Sequence, residues 1–342
     1  MKEIRFVKST RIAVLILSLV VAGTARGQSK VGTSVGQFLG IEPSARNAGM
    51  GNTGSASAFG IEAVYFNPGA IGTLTRPSIQ FSHGAWFTDI LYDYVSAATP
   101  VGTFGTLFAS VTSLNSGEIA VRTVSQPLGT GERFTVRDFA LGFGYGRQVT
   151  DRFAAGVQWT YARERIWNSS QSFQSFSAGT VYRVGRRGLT IGSSVSNMGT
   201  HSQFSGRDLA FQYDNSPGVY GDNGALPGEQ LTGQFPVPIL ARFGVSMPYR
   251  FNNRSVLLFA VDALHPNDNA QSMNTGVEWS WKEMLSLRGG YQTLFQEDSE
   301  LGLAFGFGLR GTLQETAYRF DYAWTGHEHL NETHRFTLIL EL

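Results

Sequence analysis

A two-residue period of hydrophobicity, recurring from residue 78 to the C-terminus, most constrains how this chain can fold. In 139–146, Phe, Leu and Tyr alternate with Ala and Gly, and 301–309 and 318–324 repeat the pattern with Leu, Phe, Tyr and Trp. Such alternation is typical of β-strands with one apolar face and one small or polar face. Several runs reach nine to twelve residues, whereas strands in soluble proteins are usually about 5–6 residues long.

Strands of this kind fit two environments. Their apolar face can pack in a protein core while the other meets water, or it can face lipid around a polar lumen. A tilted strand of about 9–11 residues crosses a membrane, and only 15% of the residues are charged, against roughly 25% in a typical soluble protein. We therefore predict an all-β, closed transmembrane barrel of the outer-membrane type, with outer-membrane lipid as its partner, rather than a secreted β-sandwich.

The count of alternating segments predicts fourteen antiparallel strands, an even number that is usual for bacterial single-chain barrels. The predicted strands are 79–87, 92–100, 104–114, 136–147, 152–165, 173–184, 187–196, 238–248, 255–264, 273–281, 284–292, 299–310, 315–325 and 333–342. Residues 115–135 are assigned to an outer hairpin, because a fifteenth strand would break this parity.

The longest break between predicted strands is 197–237, which is rich in Gly, Pro, Asn and Asp. Loops longer than about 12–15 residues are usually functional or disordered. The segment is therefore either a mobile decoration or a site of partner recognition, whose candidate residues are Phe204, Arg207, Asp208, Phe211, Tyr213 and Tyr220.

The N-terminus has the organisation of an export signal. Four basic residues precede the apolar run Ile12–Ala22, and small residues flank Arg26, which predicts a signal peptide over 1–27. The alternative, a membrane anchor, needs about 20 apolar residues. We expect residues 28–76 to form a plug, because the Gly-, Ala-, Ser- and Asn-rich stretch 41–71 buries too little apolar area for a core of its own, and 77–342 to form the barrel.

The plug segment and several downstream stretches resemble the PorV/PorQ family of outer-membrane barrels. The hatch motif of that family is matched by Ala45, Arg46, Gly49, Met50 and Gly51, followed by Tyr65, Asn67, Pro68 and Ile71, with Gly69 in place of the commoner Ala. Downstream, 110–118, 163–168, 204–211, 262–269 and 286–291 look similar to the family. The resemblance covers about residue 34 to the C-terminus and implies a lumenal hatch over 34–76, as in the related fourteen-stranded FadL architecture.

The resemblance implies a function in type IX secretion. Such a protein binds the C-terminal signal domains of secreted cargo through its outer loops, here chiefly 115–135 and 197–237, and works with other secretion-system proteins. The relation to FadL implies an alternative, a channel for hydrophobic small molecules with a ligand held among Phe38, Met50 and Phe66. A purely structural barrel is the third possibility.

Charged residues at inward positions of the predicted strands could hold the hatch or line a path, or they could merely fill the lumen with ion pairs. These residues are Glu164, Arg183, Arg242, Asp262, Glu278, Arg288, Arg310, Arg319 and Asp321. Charges are tolerated better in a wet lumen than in lipid.

Other chemistry finds little support in the sequence. The His-rich segment 326–334 could bind a metal but is better explained as a solvated loop. Nucleotide-binding and hydrolase motifs are absent, so we expect neither an enzyme nor a cofactor. The formal net charge of +1 argues against nucleic-acid binding.

Overall fold

The computed structural model describes residues 31–87, 90–185, 188–219, 221, 225–297 and 299–342. The predicted signal peptide lies outside these ranges. None of the helices in the described ranges is long and apolar enough to span a membrane.

Fourteen long strands make up the wall of the molecule. They are β1 Ser78–Ala85, β2 Leu91–Val101, β3 Gly105–Asn115, β4 Val136–Gln148, β5 Phe153–Ile166, β6 Ser169–Val184, β7 Leu189–Gly199, β8 Leu240–Asn252, β9 Ser255–Pro266, β10 Ser272–Trp281, β11 Leu285–Leu294, β12 Leu301–Leu313, β13 Thr316–His327 and β14 Thr333–Glu341. Each strand pairs antiparallel with the next, and β14 pairs with β1 from Ser78↔Glu341 to Ala85↔His334. The barrel is closed, which confirms the predicted fold class.

Connections of unequal length distinguish the two ends of the barrel. Turns of two to four residues lie at one end with the C-terminus, here called the turn end. The other end, the loop end, has longer segments and the two-residue turn between β5 and β6. Residues 115–135 form a loop-end hairpin in which Ile119–Ala120 pairs with Arg133–Phe134. A second hairpin, Ala210–Tyr213 with Leu226–Glu229, lies in the longest loop.

The outer surface of the wall is apolar, as the alternation predicts. Phe143, near the middle of β4, is 52% exposed, and Val157, Phe243 and Leu303 are exposed in the same way. The intervening residues Ala140 and Ala162 face inward and are buried. A continuous apolar belt on a closed barrel is stable only in lipid, so the fold places this chain in an outer membrane.

Residues 34–76, the hatch, fill the lumen. The hatch contains 3₁₀ turns at Gln37–Gly40, Gly60–Glu62 and Ala70–Thr73 and two short helices, α1 Ala45–Gly49 and α2 Ala63–Phe66. Ser44 caps α1 by accepting a hydrogen bond from the Asn47 N–H. Nearly all of 43–58 is buried, which explains why this stretch lacks a polar face.

Small residues on both surfaces allow the hatch to touch the wall. A Cβ at Gly49 would lie 2.9 Å from the Gly306 Cα, and one at Gly290 would collide with the backbone of Met50 and Gly51. Gly51, whose φ is +63°, itself packs against β11. Glycines at these positions of the plug and of the wall therefore allow the close approach of two backbones.

Candidate functional site

The hatch lies between two cavities. The loop-end cavity has a volume of about 220 Å³ and is lined by hatch residues such as Tyr65 and by the inward faces of β2 to β10. The turn-end cavity has a volume of about 450 Å³ and is lined by Arg46 and by charged residues of β6 to β13. A molecule crossing the lumen must pass the hatch, so its attachments decide whether a path can open.

Six charged side chains, here called the hatch ion network, join the hatch to the wall. They are Arg46 and Glu62 of the hatch and Glu278, Arg288, Arg319 and Asp321 of the wall. The Arg46 guanidinium donates to both oxygens of Glu278, at 2.8 and 3.0 Å. Glu278 also accepts from Arg288 at 2.6 Å, and Arg288 donates to Asp321 at 2.7 Å.

The network closes through Arg319. Its guanidinium lies 2.7 Å from Asp321 and 2.6 Å from Glu62. Three cations therefore face three anions, and all but Arg319 are almost completely buried. Such a set is tolerated in a low-dielectric lumen only because each charge has a partner.

Further attachments hold other parts of the hatch. Asp262 accepts from the N–H groups of Gly54 and Ser55, each at 2.8 Å. Glu164 accepts from the Gly36 N–H at 2.9 Å. Near α1, Arg335 of β14 donates to Glu42 at 2.8 Å.

The predicted hatch-motif residues lie at the hatch–wall contact. Arg46 anchors the ion network, and 49–51 touch β10 to β12. Asn67 donates to the carbonyls of Ser55 and Thr180, at 2.8 and 3.0 Å, and accepts from the Gly69 N–H. The Pro68 carbonyl packs against two inward glycines of the wall.

The predicted lumenal charges separate into two groups. Most of them hold the hatch or lie beside it: Glu164, Arg242, Asp262, Glu278, Arg288, Arg319 and Asp321. Arg183 is exposed at the turn-end cavity instead. Arg310 also lines that cavity and lies 3.0 Å from Glu341 of β14.

The described candidate partner residues all lie in the longest loop, at the loop end. Asp208 accepts from the Asn168 N–H and side-chain amide at 3.0 and 2.9 Å, with Arg207 beside it in a 3₁₀ turn. Phe211 and Tyr213 are half exposed on the second hairpin, in the longest loop. Phe204 is half-buried, and its carbonyl accepts from Thr232; Tyr220 lies outside the described residues.

Sequence reasoning missed several residues of the site. Arg335 and Glu341 share the inward face of β14, so the same alternation could have identified them. Glu42 and Glu62 are the two acidic residues in the described hatch, and a carboxylate in a segment of small residues is itself a signal. The expected ligand contacts Phe38, Met50 and Phe66 are buried and line neither of the two cavities.

Apolar, aromatic and polar side chains share the lining of the loop-end cavity. Leu39, Ile239, Leu240 and Leu264 line it together with three tyrosines, Tyr65, Tyr92 and Tyr94. Tyr65 donates to the Leu39 carbonyl at 3.1 Å, and Tyr92 donates to the Ile41 carbonyl at 2.9 Å. Burial raises the pKa of Tyr65 to about 12, so this phenol stays protonated and remains a donor.

The His-rich loop does not assemble a metal site. His329 contacts Glu300, His334 contacts Tyr322, and His327 packs against Phe87. Within the described ranges, no group of three His, Asp or Glu side chains has an arrangement that could hold a metal ion.

Solved structures of outer-membrane channels share this fold. The Pseudomonas putida toluene transporter TodX is 13% identical, with a TM-score of 0.57, over 88% of this chain and 97% of that one. A FadL homologue of Pseudomonas aeruginosa is 12% identical with a TM-score of 0.54, over 87% and 97%. The monoaromatic hydrocarbon channel CymD is 11% identical with a TM-score of 0.56, over 88% and 96%.

These likenesses define the class of fold. The chain has the FadL-like architecture, a fourteen-stranded outer-membrane barrel with an N-terminal hatch. No protein-family model and no curated protein sequence matches it. The finer resemblance to the PorV family remains a hypothesis.

Proposed function

We propose that this chain is an outer-membrane channel for small hydrophobic molecules. The observation that carries the proposal is the loop-end cavity, which lies between hatch and wall and is lined by leucines, an isoleucine and three tyrosine rings together with Ser, Thr, Asn and Gln side chains. Cavities of this composition are typical binding sites for small ligands. The solved structures with the same fold include a toluene transporter and a monoaromatic hydrocarbon channel, which supports the same class of cargo.

The size of the cavity favours small cargo. An apolar cavity of about 150 Å³ accepts benzene, and the loop-end cavity measures about 220 Å³. A single ring with one or two substituents fits this volume. Release toward the turn end requires the hatch to move, which makes the hatch ion network the tether of the closed state.

Uptake of labelled toluene tests the proposal. Cells that carry the gene should accumulate toluene faster than cells with an empty vector. Ala140→Phe, which places a ring in the cavity, should reduce uptake to the empty-vector level. Ala109→Phe on the lipid-facing side of β3 is the matched control and should leave uptake unchanged. Equal uptake with and without the gene would reject the channel.

A role in secretion is a second candidate. The second hairpin, in the longest loop, presents Phe211 and Tyr213 to solvent. Aromatic residues are enriched at protein interfaces. The resemblance to the PorV family supports this candidate, and the structural comparisons support the channel. Recovery of secretion-system proteins or cargo C-terminal domains in a mild-detergent pull-down, lost on deletion of 207–232, would favour secretion.

Processing after residue 27, and the division into a plug over 28–76 and a barrel over 77–342, are also proposals. N-terminal sequencing of the mature protein tests the cleavage position, and a chain beginning at Met1 would contradict it.

A further inference from the structure

The loop-end cavity contains a buried cation. Arg242, on the inward face of β8, is 4% exposed and lines the cavity. Its guanidinium carbon lies 5.5 Å from the centre of the Tyr65 ring and 5.7 Å from that of Phe66. Among the described residues it forms no ion pair.

The acidic groups around Arg242 are only partly engaged with other residues. Asp262, on the neighbouring strand, interacts electrostatically with Arg242; one of its oxygens accepts from two hatch amides, and the other has no hydrogen-bond partner in the described part of the chain. Asp268 lines the same cavity and accepts from the Gln37 amide at 2.6 Å. Neither carboxylate forms an ion pair with Arg242, and the Tyr65 hydroxyl is its polar neighbour in the hatch, so this guanidinium can still donate to a ligand in the cavity.

A second polar group faces the same cavity from the opposite wall. Tyr94 of β2 is 3% exposed and lines the cavity. Its hydroxyl lies near the Ser96 and Ser110 side chains but makes no hydrogen bond of normal geometry. Burying a hydroxyl without a partner is unfavourable, so this group would gain from a ligand oxygen.

We infer that the loop-end cavity binds a one-ring aromatic carboxylate, with its carboxylate at Arg242 and its ring against Tyr65 and the leucines. The inference rests on the proposed function, because it names the cargo of the same cavity. A bare hydrocarbon offers the Arg242 guanidinium no acceptor, whereas a carboxylate accepts charge-assisted hydrogen bonds from it. The volume argument limits the apolar part to about one ring.

Calorimetric titration of the purified full-length protein in detergent tests the inference, with benzoate and its neutral isostere benzamide as probes. Benzoate should bind about 10- to 100-fold more tightly than benzamide, the range expected for hydrogen bonds to a charged group. Arg242→Gln should reduce that ratio to near one. Arg250→Gln, at the turn-end cavity, is the matched control and should preserve the ratio.

The outcomes separate this inference from the channel itself. If toluene uptake is gene-dependent but benzoate binds no better than benzamide to the wild-type protein, the carboxylate inference is wrong and the channel stands. If benzoate binds as expected but toluene uptake does not depend on the gene, the binding site stands and the proposed hydrocarbon transport fails. The wild-type comparison of the two probes decides the case even if Arg242→Gln does not fold.

Discussion

Replacement of Glu278 by Gln should loosen the hatch while the barrel stays folded. Glu278 is the point at which the hatch and the wall share charge, because it accepts from Arg46 and from Arg288. Gln keeps the shape of the side chain but has one carbonyl oxygen and no charge. The substitution leaves two nearly buried arginines with less compensation.

The size of the effect follows from the partners that remain. Removing one member of a buried ion pair costs about 3–5 kcal/mol. Arg288 keeps its 2.7 Å contact with Asp321, and Arg46 still lies 3.8 Å from Glu62, so we expect a loss of about 2–3 kcal/mol. Because 1.4 kcal/mol is a factor of ten, the opened hatch should become roughly 30- to 150-fold more populated.

Amide hydrogen exchange measures this population directly, since exchange of buried amides reports local opening. Peptides covering 42–53 should exchange faster by the factor above, while peptides from β10 and β11 change little. Glu341→Gln is the control, because the Arg310–Glu341 pair is partly exposed and such pairs contribute about 0–1 kcal/mol. Hatch exchange unchanged by Glu278→Gln, or equal acceleration in the wall, would refute the tether.

Three further substitutions test other contacts. Gly290→Ala should destabilise the seated hatch by about 1–3 kcal/mol through overpacking, because the new Cβ meets the Met50–Gly51 backbone, and the hatch should become more sensitive to protease. Gly289→Ala, whose Cβ would lie 3.9 Å from the Phe305 ring, is the control and should leave the protease resistance of the hatch intact. Asp262→Ala removes the acceptor of the Gly54 and Ser55 N–H groups. Each unpaired group costs about 1–3 kcal/mol, so these two amides should exchange faster, and unchanged protection would contradict this expectation. Phe143→Arg should destabilise the barrel by about 2–4 kcal/mol in urea titrations in lipid vesicles, whereas Phe143→Leu should have a small effect; similar midpoints for the two variants would contradict a lipid-facing belt.

The wall was largely predictable from the sequence, because one physical rule applies along its whole length. A strand between lipid and lumen must alternate, so the period of two revealed all fourteen strands and the inward position of Glu278 and Asp321. Errors were confined to strand ends. At β6, for example, the alternation predicts a start at 173, whereas pairing extends to Ser169.

The hatch attachments were less predictable. Arg46 could be identified from the motif that it belongs to, but its partner Glu278 lies 232 residues away, and alternation gives the face of a side chain rather than its height in the lumen. The sequence predicts ligand contacts at Phe38, Met50 and Phe66, but these side chains are buried and line neither cavity. The loop-end cavity is instead bounded by tyrosines of two segments, Tyr65 from the hatch and Tyr92 and Tyr94 from β2, and their convergence depends on how the hatch is seated.

The closing strand, β14, provides part of the surface on which the hatch is docked. Arg335 donates to Glu42, and the Thr337 hydroxyl accepts from the Ala45 N–H. Hatch residues that are synthesised early are therefore held by residues that are synthesised near the end of the chain. During biogenesis, the N-terminal segment has no complete socket until the final hairpin joins β1. Docking of the hatch and closure of the barrel should therefore be coupled and occur late in folding. Chains truncated before β14 should have an undocked, protease-sensitive N-terminal segment.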